Sequence, residues 1–180
     1  LGANIGRMSL SRVILGDVVA VYCAEPDPIN YECLVRNVVD NQLRGLVFPD
    51  NVAISDRAGE AQLNRAKYCG GHTLVDGAVK PAGSVSVPTL TLDAWVARLG
   101  IETALVTFIK MDVQGWEGHV FAGATRMLQQ RHVTWQIEYK PALLRDAGTD
   151  PRGLLQLVGR SFTHFTDLNK AASGTRGRPI

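Results

Sequence analysis

The amino-acid sequence predicts an α/β domain built on a mostly parallel sheet. Short β-branched, apolar runs alternate with stretches of helical periodicity, as a parallel sheet with crossover helices requires. The opening stretch, Leu1-Gly2-Ala3-Asn4-Ile5-Gly6, reads as a strand end that breaks into a glycine-bearing turn and then a helix. Acidic residues stand at the carboxyl ends of successive strands, the edge where open α/β sheets bind ligands.

The helix after the turn is expected over residues 5–15, with Met8, Val13 and Ile14 as apolar contributors, and Gly16-Asp17 ends it. Residues 18–24 form a continuous apolar run suited to a strand buried on both faces. The prolines of Glu25-Pro26-Asp27-Pro28 fix its exit. A second helix covers residues 29–42, with Leu34, Val35 and Val38 on one side. Residues 46–55 form a third strand, weakened at Pro49-Asp50, and residues 55–59 a turn. Residues 60–64 and 86–92 alternate like half-exposed strands around Gly70-Gly71-His72 and a Pro/Gly/Ser-rich stretch. This predicts a β insertion around residues 60–92, either an antiparallel element or a loop over the site. Asp93 caps a short helix to Leu99. Residues 104–111 are a strongly apolar strand with Asp112 at its end. The next helix, residues 116–130, carries Val120, Phe121, Ala124 and Leu128 as its core stripe. Residues 132–139 form a fifth strand ending near Glu138. Helical stretches begin at Pro141 and over residues 153–160, residues 162–168 are a last strand, and residues 169–180 are expected to fray.

A chain of 180 residues, 46% hydrophobic, suffices for one domain with its own core. A single domain over residues 1–180 is expected, in a parent that begins before Leu1, because the chain opens inside a strand. A formal charge of +2 is too small for a nucleic-acid footprint. The three cysteines, Cys23, Cys33 and Cys69, are odd in number and lack C-x-x-C spacing, which points to a reduced, cytoplasmic protein. No apolar run reaches the roughly 18 residues of a membrane span, and no signal peptide is visible.

Gly2 and Gly6 would let a ligand approach the backbone, and amide N–H groups from about Ile5 onward would face a carboxylate or phosphate. The G-x-x-x-G spacing suits a nucleoside without a pyrophosphate better than G-x-G-x-x-G does. Glu25, Asp56, Asp112 and Glu138 would project to the same edge as this loop. Glu25 lies about twenty residues past the loop, where an acid reaches a ribose diol. Asp112 could hold a ligand's amino or sulfonium-bearing end, orient an attacking hydroxyl, or with Glu138 hold a hard cation through oxygen ligands; the competing reading is a helix N-cap. Lys110 alternates onto the face of Asp112, for a structural ion pair or a catalytic role. Glu117 reads equally as a first-turn acid or a site residue. His72 is the best-placed histidine, with an exposed loop histidine as the alternative. His119 falls on a polar face with Arg126 and Gln130, and His132 and His164 have no partner pattern. No H-x-x-x-H, C-x-x-C or H-E-x-x-H spacing occurs, so no strong metal site is readable.

Several motifs occur together: Leu1-Gly2-Ala3-Asn4-Ile5-Gly6; Glu25-Pro26-Asp27-Pro28 with Asn30-Tyr31, Leu34 and Arg36-Asn37; Ala53-Ile54-Ser55-Asp56 with Gly59; Thr91-Leu92-Asp93; Ile109-Lys110-Met111-Asp112-Val113-Gln114-Gly115-Trp116-Glu117; Gly123-Ala124; and Glu138. In this set the chain resembles the FkbM-type family of S-adenosylmethionine-dependent methyltransferases. The resemblance implies a class I methyltransferase fold, Rossmann-like and doubly wound, with a mostly parallel sheet and an antiparallel last strand. It also implies S-adenosylmethionine as cofactor and methyl transfer to a hydroxyl of a sugar or natural product, hence a small-molecule or glycan acceptor. By the same resemblance Gly2, Ala3, Asn4 and Gly6 contact the cofactor's methionine end, and the reading of Asp112 as a holder of the amino end adds it to the cofactor-binding set. Glu25, with Pro26 beside it, takes the ribose, and Ala53, Ser55 and Asp56 lie near the adenine. Asp112 and Glu138 are the first candidates for the catalytic base, followed by His72, with Lys110 beside them. The family usually has an acid where Gln114 stands and another before the glycine motif. Two rivals are a nucleotide-dependent oxidoreductase on a related sheet and a non-catalytic binding module that retains the fold.

Overall fold

In the computed structural model, residues 1–68, 70–77, 83–168 and 178–179 are described. The order is α1 (Arg7–Ile14), β1 (Val21–Ala24), α2 (Pro28–Asp40), β2 (Val47–Asp50), β3 (Ala53–Ser55), β4 (Gly59–Arg65), β5 (Gly83–Thr91), α3 (Leu92–Arg98), β6 (Phe108–Met111), α4 (Glu117–Ala122), β7 (Thr134–Ile137), α5 (Pro141–Asp146), α6 (Pro151–Ser161), β8 (His164–Phe165) and β9 (Arg178–Pro179). Three strand pairs are parallel, β1 with β2, β3 with β5 and β6 with β7; β4 runs antiparallel to β5. The result is an α/β fold with mixed sheets.

Leu1 and Gly2 join two of these pairs. The Leu1 amino group donates to the Lys110 carbonyl at 2.7 Å, and Asp112 N–H donates back to the Leu1 carbonyl at 3.3 Å. Gly2 and Ala3 N–H both donate to the Ala24 carbonyl, at 3.0 and 3.1 Å. The opening residues therefore lie between the ends of β1 and β6, as a central strand end would.

Apolar side chains collect in three groups. The largest packs Leu92 and Trp95 of α3 and Val120 and Phe121 of α4 against Ile109 and Met111 of β6. A second puts Leu10 of α1 and Leu34 and Val38 of α2 on Cys23 and Val47. A third seals the insertion with Ala53, Leu63 and Val87.

Several sequence boundaries move. In α1 only Leu10 is buried; Met8 and Ile14 face solvent, because the side of the helix that meets α2 is the side of Leu10. The strand expected from residue 18 begins at Val21, where the parallel register with Val47 begins, and Val19 is 89% exposed. The third strand divides into β2 and β3. Asn51 turns the chain there, its side-chain amide donating to the Glu25 and Pro26 carbonyls at 2.8 and 2.9 Å.

Thr91, not Asp93, caps α3, accepting from Ala94 N–H at 3.0 Å. Asp93 reaches across to Arg126 and Met127 N–H, at 2.7 and 3.1 Å. That contact bends the chain after Gly123, so the helix expected over 116–130 stops at Ala122 and resumes only as a short 3-10 turn, Met127–Gln129. The last strand is two residues long and pairs antiparallel with Arg178–Pro179, not with the parallel ladders. Most of the expected frayed tail, residues 169–177 and 180, lies outside the described residues.

Asp27 ties α2 to the insertion. It is 1% exposed, caps α2 by accepting from Ile29 and Asn30 N–H at 3.0 Å each, and meets Arg65 Nε of β4 at 2.5 Å. Burial pushes its carboxyl up, but the Asn30 amide and the Arg65 guanidinium outweigh it and hold the group below its ordinary value. Asp27→Ala is expected to lower the unfolding free energy by at least about 2 kcal/mol, a lost cap plus a lost charge-assisted bond. A depressed carboxyl stabilises fully above its unfolded value, so the gap between wild type and variant should be complete at neutral pH. It should close as pH falls below about 4. Urea denaturation of both proteins across that range checks it.

Candidate active site

A cavity opens at the carboxyl ends of β1 and β6. Its floor is Leu1, Gly2 and Asn4; Glu25 and Pro26 stand on one side and Asp112, Val113 and Gln114 on the other. Val52, Ala53, Ile54 and Leu63 make an apolar wall, and Gly70, His72, Thr73 and Leu74 of the insertion form the rim.

The glycine turn is built for packing. A Cβ on Gly2 would lie 2.0 Å from the Asp112 carbonyl oxygen, and one on Gly6 would lie 2.4 Å from Leu34 Cδ1. Both residues also have positive φ, +68° and +87°, which side chains resist. What comes close to these glycines is the protein itself. The turn's amides are likewise spent inside the molecule. Asn4 N–H donates to Glu25 Oε2 at 2.7 Å, Ile5 N–H to Asn4 Oδ1 at 2.7 Å, and Gly6 N–H to the Ala3 carbonyl at 3.0 Å. Of the amides expected to face a ligand from Ile5 onward, those of Ile5 and Gly6 are therefore taken, and Ala3 and Gly6 do not line the cavity.

Glu25 is 4% exposed and forms part of the lining. Its Oε1 accepts from Asp27 N–H at 3.1 Å while Oε2 takes Asn4. Burial raises its carboxyl above the ordinary value, and these amides only partly offset the rise.

Asp112 is not a cap: Trp116 occupies the N-cap position of α4. The Asp112 Oδ2 meets Lys110 Nζ at 2.9 Å, which settles the partner of that strand lysine. Its Oδ1 accepts from Gln114 Nε2 at 2.7 Å, and the same nitrogen reaches Glu138 Oε2 at 3.1 Å. Lys140 Nζ closes the row on Glu138 Oε1 at 2.9 Å. Burial pushes Asp112 up, but Lys110 and then Gln114 prevail, so its carboxyl sits below the usual range.

Asp56 departs from the expected convergence. Its Oδ1 accepts from Ser55 Oγ at 3.0 Å, and its Oδ2 lies 3.6 Å from His119 Nδ1 and 4.0 Å from Arg57. Trp116 Nε1 holds Ser55 Oγ at 2.9 Å. β3 pairs with β5 rather than β1, so Ser55 and Asp56 sit under α4, outside the cavity; Ala53 does line it. His119 is not a surface histidine: it stacks on Trp116 with ring centroids 3.8 Å apart and meets the Ala147 carbonyl at 3.0 Å.

His72 lines the cavity, and its Nδ1 accepts from Ala66 N–H at 3.0 Å. Its neutral ring therefore carries the hydrogen on Nε2 and donates from it. Desolvation lowers its pKa despite Asp27 nearby. It cannot take up a proton without breaking the Ala66 bond, which corrects its place among candidate bases.

Sequence reasoning missed Thr73 and the use of Gln114. Thr73 Oγ1 donates to the Gln114 carbonyl at 2.8 Å, tying the insertion to the turn after β6. Nothing in the local sequence marks Thr73; Gln114 continues the alternation of Lys110 and Asp112.

Glu117 is 1% exposed and accepts from Val113 N–H at 3.2 Å, closing the turn after β6. Desolvation raises its pKa to about 6, with Glu138 and Asp112 adding to the rise. A carboxyl that is easier to protonate folded than unfolded costs stability as pH rises from its ordinary 4.5 to about 6. Glu117→Gln keeps the acceptor for Val113 and removes the titration. Its stability relative to wild type should improve through that window and then level off, as read by urea denaturation at successive pH values.

Comparison with known proteins places this geometry. The chain is 26% identical over 181 residues to the hexuronic acid methyltransferase AglP of Haloferax volcanii, covering 99% of this chain and 68% of that protein. It is 28% identical over 173 residues to the 2-O-methyltransferase NoeI of Sinorhizobium fredii, covering 88% and 69%. The crystal structure of methyltransferase FkbM from Methylobacillus flagellatus shares the fold, with a TM-score of 0.56 and 21% identity over 89% of this chain. The chain spans about a third of that protein's length, 35%. The model of the methyltransferase FkbM domain matches residues 1–163, nearly all of the described structure, and the chain belongs to that family.

Proposed function

We propose that residues 1–180 form a single class I, Rossmann-like, S-adenosylmethionine-dependent domain that methylates a hydroxyl of a sugar or related small molecule. The observation that carries this reading is the meeting of Glu25 and Asp112 on one cavity beside an apolar wall. A hexuronic acid in one relative's name and an oxygen position in the other's support a sugar hydroxyl as acceptor. The family match weighs against the oxidoreductase rival. The unpaired thiols of Cys23 and Cys33 suit a reduced compartment such as the cytoplasm. Among the described residues no helix is long and apolar enough to cross a membrane.

The lining fits the cofactor in chemistry. A carboxylate has about four acceptor sites, and the Asn4, Asp27 and Asn30 donors occupy three of those on Glu25, which leaves room for one ribose hydroxyl. Ala53, Ile54 and Leu63 offer an apolar face for the adenine. The turn's amides are already used, so side chains and walls do the holding. The cavity encloses about 120 Å³, short of the roughly 300 Å³ at the lower end of small-molecule sites. Residues 70–74 form the rim on which the size of this cavity depends. Thr73 holds them through its paired hydrogen bonds with Asn64, 2.8 and 3.1 Å, and its bond to Gln114.

S-adenosylmethionine brings an already activated methyl group, which leaves positioning and proton transfer to the protein. Asp112 and Glu138 are the groups to receive the hydroxyl proton, worth about 10²–10⁴-fold in rate. Lys110 and Lys140 hold the outer oxygens of these two carboxylates and steady their charge. His72 contributes a donor from Nε2.

Glu25→Ala should weaken binding of S-adenosylhomocysteine at least tenfold by calorimetry, about 1.4 kcal/mol. Unchanged affinity would remove Glu25 from the ribose. Asp112→Asn should bind within a few-fold of wild type yet lose about 10²-fold or more in transfer of labelled methyl to a panel of uronic acid and neutral sugar glycosides. Full turnover by this variant would shift the base to Glu138, and wild type that binds the cofactor product but methylates nothing would favour the binding module.

A further inference from the structure

One side chain at the cavity has no part in the reading above. The Gln114 amide stands between two carboxylates, 2.7 Å from Asp112 Oδ1 and 3.1 Å from Glu138 Oε2. An NH2 group carries two hydrogens, one for each acid. The outer oxygens are taken by Lys110 and Lys140, both at 2.9 Å. Cation, anion, amide, anion and cation thus follow in one row.

The backbone under this amide is held as well. Gln114 has φ +52°, a region that side-chain-bearing residues visit at a cost and keep only where the surroundings enforce it. The Thr73 hydroxyl on its carbonyl and the Val113 N–H on Glu117 enforce it here. Two carboxylates this close, with no donor between them, disfavour a shared charged state, and one of them takes up a proton.

We propose that Gln114 is a positioning residue: its single amide nitrogen fixes the Asp112 and Glu138 carboxylates side by side, so that a ligand hydroxyl or amine reaching Asp112 meets an acceptor held in one orientation. Each carboxylate still has lone pairs for that ligand. The identity of the ligand rests on the methyltransferase reading, whereas the clamp does not. The charged groups facing the pair are Lys110 and the Leu1 amine on the sheet side, Glu117 from α4, and Lys140 after β7. Tyr68 of the insertion reaches Lys140 electrostatically.

The test is a carbon-13 NMR titration of the Asp112 side-chain carboxyl in the protein without cofactor. Gln114→Glu keeps the shape, removes the donor and adds a charge. Gln114→Met is unbranched, tolerates the same backbone and removes the donor alone. Asp112 should titrate about one unit or more higher in Gln114→Glu, a tenfold change in proton affinity, and higher by a smaller margin in Gln114→Met. A purely structural role would change stability and leave this midpoint in place. An unchanged midpoint in the folded variants overturns the proposal, and if Gln114→Glu does not fold, Gln114→Met decides alone. S-adenosylhomocysteine calorimetry on the wild type runs in parallel: absence of binding sinks the methyltransferase reading, while the titration still decides the clamp.

Discussion

The backbone of Leu1 and Gly2, inserted between the ends of β1 and β6, sets the position of everything in the site. Gly2 N–H goes to Ala24 on one side, and the Leu1 carbonyl receives Asp112 N–H on the other. The fit is close enough that a Cβ on Gly2 would overlap the Asp112 carbonyl. One consequence is geometric: the residues that follow Ala24 and Met111, namely Glu25 and Asp112, must emerge on either side of the same turn. Another is energetic. Both hydrogen-bonding ends of the turn are used for assembly, so the turn organises the site.

The chemistry then falls to side chains, and the two carboxylates facing the cavity are tuned in opposite directions. Glu25 is buried among the Asn4 and Asp27 backbone amides and the Asn30 side chain, and desolvation outweighs them, so its proton affinity rises. Asp112 is more exposed, bonded to Lys110 and Gln114, and its proton affinity falls. Environment alone sets the divergence, because the two groups are chemically alike. Glu117 behind them takes the opposite course from Asp112, because it has a backbone amide but no cation and shares the field of two other acids.

The order of elements and the strand ends were readable because they depend on local pattern. Pairs such as Leu34 and Val38, or Val120 and Phe121, announce their buried faces by spacing alone. Glu25 and Asp112 meet at one cavity, as parallel strand order implies, and Glu138 adjoins Asp112 through Gln114 without lining the cavity. Asp56 escaped that logic because Asn51 bends the chain between β2 and β3 and moves β3 to another partner, a side-chain bond to carbonyls 25 and 26 residues away that no local window contains. The early end of α4 has the same origin, since Asp93 acts from more than thirty residues away. His119 looked solvated because helical periodicity assigned it a polar face; the partner on that face is Trp116, which stacks on it, together with the Asp56 that had been expected elsewhere. Long-range polar contacts, not hydrophobic pattern, mark the limit of local reading.

The insertion completes the argument because it connects the two halves of the site. Arg65 at the end of β4 pairs with Asp27, whose backbone N–H supports Glu25, and Thr73 a few residues later holds the carbonyl of Gln114, whose side chain supports Asp112. One short segment thus bears on Glu25 through a helix cap and on Asp112 through a turn. A displacement of residues 70–74 that enlarges the cavity must release the Thr73 contact and with it one restraint on the Gln114 backbone, which already occupies a costly conformation. Thr73 therefore couples the rim of the cavity to the backbone beneath Asp112 and Glu138.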